Sequence, residues 1–291
     1  MRAMFKACVP DAMKPALRRI ERDLSGWKDQ WHLDRVRARS FAAKPGMILP
    51  CGPYGVRIND GPNFFMQYKD IFINRIYHFD TESHAPTILD CGGNIGMSVL
   101  YYKQIYPEAR ITTFEPDPAV FGYLQDNMIR HGMTDVGLVQ AAVCGSEGFL
   151  TFHSDGKYAS SLASETALLE KGWTKQRVPC VRLFNYLTEP IDFLKINIEG
   201  AEWEALADSG DRLRLVNEMV IEYHHLPGLP RTLHNILDLL DRQGFEYLVN
   251  DFDSETNGGV QPPFRLAPDS RYFLLVYARR VNGASANRGG W

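Results

Sequence analysis

Two acids and a glycine turn set the chemistry open to this chain. Asp90-Cys91-Gly92-Gly93-Asn94-Ile95-Gly96 follows the apolar run Thr87-Ile88-Leu89, and Glu115 follows Ile111-Thr112-Thr113-Phe114 just before Pro116. Such a run fits a buried parallel strand, a glycine turn lets backbone approach a ligand, and an acid ending the next strand can accept from both ribose hydroxyls. The pattern predicts a nucleoside site. A dinucleotide fingerprint wants glycine at the first, third and sixth positions, but counting from Gly92 the third and sixth are Asn94 and Met97. Asp90, at the strand's carboxyl end, would repel a pyrophosphate yet could hydrogen-bond a cationic amino-acid group, directly or through water. Gly92 and Gly96 are expected to supply close backbone approach, and Asn94 to bind a carboxylate or cap the next helix. Gln140-Ala141-Ala142 ends the third strand, where the small Ala141 and Ala142 leave room for a flat base.

A second set of polar residues closes the fourth and fifth strands. Lys195, Asn197 and Glu199 fall on one face of a strand whose intervening residues are Ile196 and Ile198, a costly arrangement unless they border a cavity. Glu199, at the strand's carboxyl end, is expected among the reacting groups; Glu202 either joins it or stabilises a helix N-terminus. Glu222-Tyr223-His224-His225 emerges in the same way after Met219-Val220-Ile221. Histidine suits proton abstraction near neutrality, and His224, sharing a face with Glu222, is the expected base. Glu222, His224, His225, Glu199 and Asp192 could converge on a metal, but Asn197 weakens one corner of an oxygen-rich site, and no obligatory metal is expected.

Taken in order, DCGGNIG, FEPDP, Gln140-Ala141-Ala142-Val143 and Leu194-Lys195-Ile196-Asn197-Ile198-Glu199-Gly200-Ala201-Glu202 resemble the FkbM family of class I S-adenosylmethionine-dependent methyltransferases, over roughly residues 85 to 250. The last run is the most characteristic. The family usually has Asp where this chain has Asn197, which puts a metal site in doubt. The resemblance implies S-adenosylmethionine as cofactor and the segment carrying Glu199 beside the transferable methyl; the residues expected to hold the cofactor are Asp90, Gly92, Asn94, Gly96, Glu115, Ala141, Ala142 and Asn197, and those expected to act in catalysis are His224, Glu199 and Glu222. It also implies acceptors among natural-product or sugar intermediates.

The elements that must position these residues alternate from Thr87 onward. Strands are predicted near 87–91, 110–115, 136–142, 191–197, 217–222, 244–249 and 271–279, with helices near 96–106, 118–131, 201–208 and 229–243. This is an α/β fold, a doubly wound, mostly parallel seven-stranded Rossmann-like sheet. Residues 1–84 form a helical and hairpin cap at the substrate entrance, with a helix over 15–24, a hairpin over 47–59 turning at Gly52-Pro53-Tyr54-Gly55, and helical spacing over 64–79. Residues 85–280 form the binding domain, 145–190 an insertion in the substrate wall with a hairpin around Gly148, and 281–291 a disordered tail.

Composition bounds the rest. With 291 residues, 45% of them apolar, the chain can bury a large core. A formal charge of −3 gives no global pull toward nucleic acid or anionic membrane; the ten Lys and Arg against five Asp and Glu in residues 1–40 read as a solvated helix face, packed on the domain or on a second subunit. Five cysteines without a C-x-x-C pair point to reduced thiols in a cytoplasmic protein, and no apolar run is long enough to span a membrane. A small-molecule acceptor is expected, methylated on a hydroxyl; N-methylation, an NAD-dependent oxidoreductase and a non-catalytic scaffold are the competing readings.

Overall fold

Every strand of the main sheet except one points the same way, so its residues must be covered on both faces. In the computed structural model, which describes residues 31–154, 160–161, 174–226, 230–251 and 272–281, all five residues of β3 (Thr87–Cys91) are buried. Beside it lie β4 (Arg110–Phe114) and β5 (Gly137–Val139) on one side, and β10 (Ile191–Ile196), β11 (Val216–His225), β13 (Tyr272–Arg280) and β12 (Phe245–Asp251) on the other. Numbered along the chain, the seven strands read 3-2-1-4-5-7-6, with β13 antiparallel to both neighbours. This is the predicted doubly wound sheet. The chain leaves β3 toward β4 and returns to β10 on β3's other side, so the crevice beyond the carboxyl ends of β3 and β10 is the switch point where such sheets bind ligands.

Parallel register builds the floor of that crevice. Asp90 stands opposite Thr113 on β4 and opposite Lys195 on β10, so three polar side chains form one row across three adjacent strands. Asp90 is fully buried and Lys195 is 2% exposed. Lys195 Nζ lies 3.1 Å from Asp90 Oδ1, while Oδ2 accepts from Ser98 at 2.7 Å and Thr113 at 2.9 Å. The desolvation of two buried charges is offset here by pairing and hydrogen bonds.

The helices follow from local signals. Met97–Ile105 (α3) leaves the glycine turn; Pro118–Arg130 (α4) starts at Asp117, whose carboxylate accepts from the Ala119 and Val120 N–H groups, with Pro118 in the first turn. Glu202–Ser209 (α5) and Leu233–Arg242 (α6) complete the set. The strand expected over 136–142 is divided: Gly137–Val139 stays in the main sheet, and Ala142–Cys144 (β6) pairs in parallel with Thr174–Arg182 (β9). Strand β9 also pairs antiparallel with β7 (Gly148–Ser154), which continues to β8 (Ser160–Ser161). The expected insertion is thus a second, four-stranded sheet; most of Leu168–Gln176 lies outside the described residues.

On the N-terminal side, residues 31–42 form helix α1, Ile48–Cys51 (β1) and Tyr54–Arg57 (β2) form the expected hairpin, and Gly61–Gln67 (α2) runs into a π-helical turn, Tyr68–Ile73. The helix predicted over 64–79 therefore starts three residues earlier, capped by Asp60, and ends near Ile73. Phe79 then stacks on Phe193 of β10, ring centres 4.3 Å apart. Asn127 of α4 sews this cap to the turn: fully buried, it donates to the Ile95 and Arg57 carbonyls and accepts from the Arg57 N–H. The expected helix over 15–24 and the tail lie outside the described residues, and among the described residues no helix is long and apolar enough to cross a membrane.

Lys195→Met leaves the Asp90 carboxylate buried without its cation and should cost about 3 kcal/mol in urea unfolding, with Asp90→Leu/Lys195→Met recovering much of the loss. A neutral Lys195→Met would contradict this account of the floor.

Candidate active site

Gly92 has φ +95°, and a side chain there would collide with the Asn197 carbonyl oxygen. Its bare face is thus required first by the neighbouring strand end. Through the turn, each main-chain N–H is already engaged: Gly92 and Gly93 donate to the Phe114 carbonyl, Asn94 to Glu115 Oε2, Ile95 to its neighbour's Asn94 Oδ1, and Gly96 to the Gly93 carbonyl. A phosphate cradle needs such groups aimed outward; this turn closes on itself.

Glu115 is 6% exposed, and its other oxygen accepts from the Asp117 N–H at 2.9 Å. Burial pushes its pKa up to about 7 against the pull of those two N–H groups. Each oxygen holds one backbone donor and keeps a lone pair, the arrangement a ribose diol requires. Asp90, expected to meet a ligand cation, is instead committed to Ser98, Thr113 and Lys195 inside the sheet. Lys195 likewise lies inside the sheet: 2% exposed, its ammonium reaches the Gly92 carbonyl and lies 5.3 Å over the Tyr77 ring, so the pair supports the turn from below.

At the other strand ends the polar residues divide in two. Strand β10 stops at Ile196, so Asn197 and Glu199 do not continue its face; Glu199 lies in a turn at φ +56°. The Asn197 N–H donates to the Cys91 carbonyl, and its side-chain amide donates to Glu222 Oε2 at 2.7 Å. Glu222 Oε1 accepts from the Tyr77 hydroxyl. Burial raises Glu222 to about 7, against the lowering influence of His224 and Lys195.

His224 differs from its expected role. Burial lowers its pKa, but Glu199, Glu202 and Glu222 together outweigh that and raise it to about 10. Nδ1 lies 2.9 Å from Glu202 Oε1 and Nε2 3.8 Å from Glu199 Oε2. Near neutrality it is an imidazolium, already protonated and unfit as a base. Glu202, 1% exposed, also accepts from the Gly200 N–H and so closes this second turn. His225 faces the other way, its ring 4.6 Å from Tyr272. Asp192 does not converge with the others: at the opposite end of β10 it accepts the Thr87 N–H at 2.8 Å. Among the described residues no group of three His, Cys, Asp or Glu side chains is placed to hold a metal ion.

Ala141, in the step between β5 and β6, and Ala142, the first residue of β6, are buried, with Gln140 exposed beside them. Tyr77, Gln67 and Asn127 carry site contacts that no motif flags, because each reaches the site from far along the chain.

A protein-family model described as the Methyltransferase FkbM domain matches residues 90–247. This chain belongs to the FkbM methyltransferase family. Among curated relatives, Methyltransferase 1 of Beauveria bassiana is 30% identical over 73% of this chain and 88% of its own. The 31-O-demethyl-FK506 methyltransferase FkbM of Streptomyces tacrolimicus is 28% identical over 68% and 87%, and the 2-O-methyltransferase NoeI of Sinorhizobium fredii 29% identical over 62% and 79%. A solved FkbM methyltransferase from Methylobacillus flagellatus aligns at 15% identity and a TM-score of 0.43, covering 68% of this chain and 45% of that one; a likeness of that size adds nothing to the strand order above. As a member of this family, the chain is a methyltransferase.

The His224 pKa of about 10 lies above the ordinary 6.5, so the stability it lends is present below 6.5 and is lost as pH rises through about 10. Nitrogen-15 NMR should find both His224 ring nitrogens protonated at pH 8; a neutral ring there would overturn the assignment of charge.

Proposed function

We propose that this methyltransferase uses S-adenosylmethionine to methylate a hydroxyl of a small metabolite, a sugar or natural-product intermediate. The observation that carries the cofactor is the closed turn at residues 92–96 beside Glu115: a nucleoside's ribose is provided for, a pyrophosphate is not. Two relatives are named for O-methylation, which supports oxygen as the acceptor atom.

The residues fit that cofactor in distinct ways. Glu115 would accept from the ribose hydroxyls, Ala141 and Ala142 would flank the adenine, and Gly92, Asn94 and Gly96 would shape the wall beside the amino-acid end, with Asp90 acting beneath them. When bound, S-adenosylmethionine supplies an electrophilic methyl group on a sulfonium. The chain's own task is to align the acceptor and remove its proton. Glu222 is the better base, since its pKa near 7 lets it exist as a carboxylate at neutral pH and still accept a proton. Tyr77 and Asn197 hold one oxygen each, fixing the carboxylate plane, and each oxygen keeps a lone pair for the acceptor hydroxyl. The His224 imidazolium balances Glu199 and Glu202, so Glu222 is not surrounded by acids alone.

Methyl transfer is read as a 14-dalton gain by mass spectrometry across a panel of sugars and natural-product alcohols. With an acceptor found, kcat/KM should rise with pH through an apparent pKa near 7, and Glu222→Gln should lower kcat by about 10²–10⁴ and remove that limb. A Glu222→Gln enzyme with the same pH limb would sink Glu222 as base; a gain on amines alone would sink the oxygen acceptor.

A further inference from the structure

Four of the five cysteines lie among the described residues, and they are of two kinds. Cys51 and Cys91 are 1% and 0% exposed, and burial pushes both thiols up. They are packing groups. Cys144 and Cys180 are only half-buried, and their Sγ atoms lie 3.0 Å apart.

The second sheet makes that pair. In the parallel register of β6 and β9, Cys180 stands opposite Ala142 and Cys144 opposite Arg182. Residues two apart on a strand share a face, so the two thiols are diagonal neighbours on one side of the sheet. Two further contacts seat these strand ends on α5. Arg182 makes a bidentate pair with Asp208, at 2.9 and 2.7 Å, and a side chain at Gly145 would collide with the Glu204 carbonyl.

A disulfide holds its sulfurs about 2.05 Å apart, so about 1 Å of approach remains. Diagonal neighbours are farther apart at Cα than facing ones, and closure must draw β6 toward β9 as well as turn the side chains. The two thiols are also unequal. Burial and the contact with Cys180 push the Cys144 thiol up, so Cys144 keeps its proton and donates to Cys180. Cys180 is then the sulfur placed to attack.

We propose that Cys144 and Cys180 form a redox-sensitive clasp, a dithiol that a low-molecular-weight disulfide converts to a covalent bond between β6 and β9. The Cys180 thiolate attacks one sulfur of the small disulfide, whose S–S bond breaks and releases one thiolate. Cys144 then loses its proton and attacks Cys180 Sγ, forming the protein disulfide and expelling the second small thiolate. Two protein thiols are oxidised, one small disulfide is reduced to two thiols, and the leaving thiolates take up the two protons. The closed clasp fastens the second sheet beside α5, the helix that begins at Glu202.

Glutathione disulfide is the probe, applied to the full chain carrying Cys8→Ser, because Cys8 lies outside the described residues. Peptide mapping after alkylation should find Cys144 linked to Cys180, the intact chain lighter by two hydrogens, and Cys51 and Cys91 still thiols. Dithiothreitol should restore both thiols of the pair. In Cys144→Ser the reaction should stop at the mixed disulfide, one glutathionyl group on Cys180, formed about tenfold or more faster than on Cys144 in Cys180→Ser. Serine nearly matches cysteine in size, and thermal melting checks that both variants fold. A natively folded chain that takes glutathione at Cys180 without forming the link, or that keeps both thiols, overturns the clasp. Equal rates in the two serine variants overturn Cys180 as the attacking sulfur.

Discussion

The Asp90–Lys195 pair is the contact on which the rest of the site depends. It exists only because β3, β4 and β10 run parallel in a register that sets Asp90 between Thr113 and Lys195. Its two ends then do different things. The Asp90 carboxylate gathers Ser98 at the start of α3, and the Lys195 ammonium reaches up to the Gly92 carbonyl. The glycine turn is thus tied to the first strand, the first helix and the fourth strand at once. An apolar filling of the same volume would recover much of the stability lost with the lysine; what the ion pair adds is a fixed position for the turn.

Above that floor the site is a problem of surplus negative charge. Glu199, Glu202 and Glu222 all lie near one histidine, and the outcome is an imidazolium that serves three carboxylates. Burial, only partly offset by His224 and Lys195, brings Glu222 to a pKa of about 7, where it can take a proton. The acid and the histidine therefore exchange the roles their side-chain types suggest. Tyr77 and Asn197 determine where the Glu222 oxygens sit, and Tyr77 comes from the N-terminal segment, so that segment shapes the polar cluster at the strand ends.

The sequence made the sheet legible because its strands are short apolar runs punctuated by Gly, Pro and acids, and a parallel strand buried on both faces has no other composition open to it. It failed at 136–142 because Gln140 and Ala141 are as compatible with a strand as with the step between two sheets. Local geometry was legible where a motif is local, as in the turn from Gly92 to Gly96 and the strand end at Glu115. Side-chain partners were not legible where they come from elsewhere in the chain. Asp90, expected to meet a ligand cation, pairs with Lys195 instead; His224, expected as a base, lies among Glu199 and Glu202 of the segment after β10 and Glu222 of its own strand. Asp192 shares a strand with Lys195 but sits at its opposite end, a distinction that spacing alone does not draw.

The central claim is that this switch point is built for a nucleoside with an amino-acid arm and is closed to a pyrophosphate. Calorimetric titration of the full chain with S-adenosylhomocysteine and, separately, with NAD tests it most directly. The geometry of the turn at residues 92–96 predicts saturable one-to-one binding of S-adenosylhomocysteine and no measurable heat with NAD. Binding of NAD as tight as that of S-adenosylhomocysteine, or tighter, would contradict it.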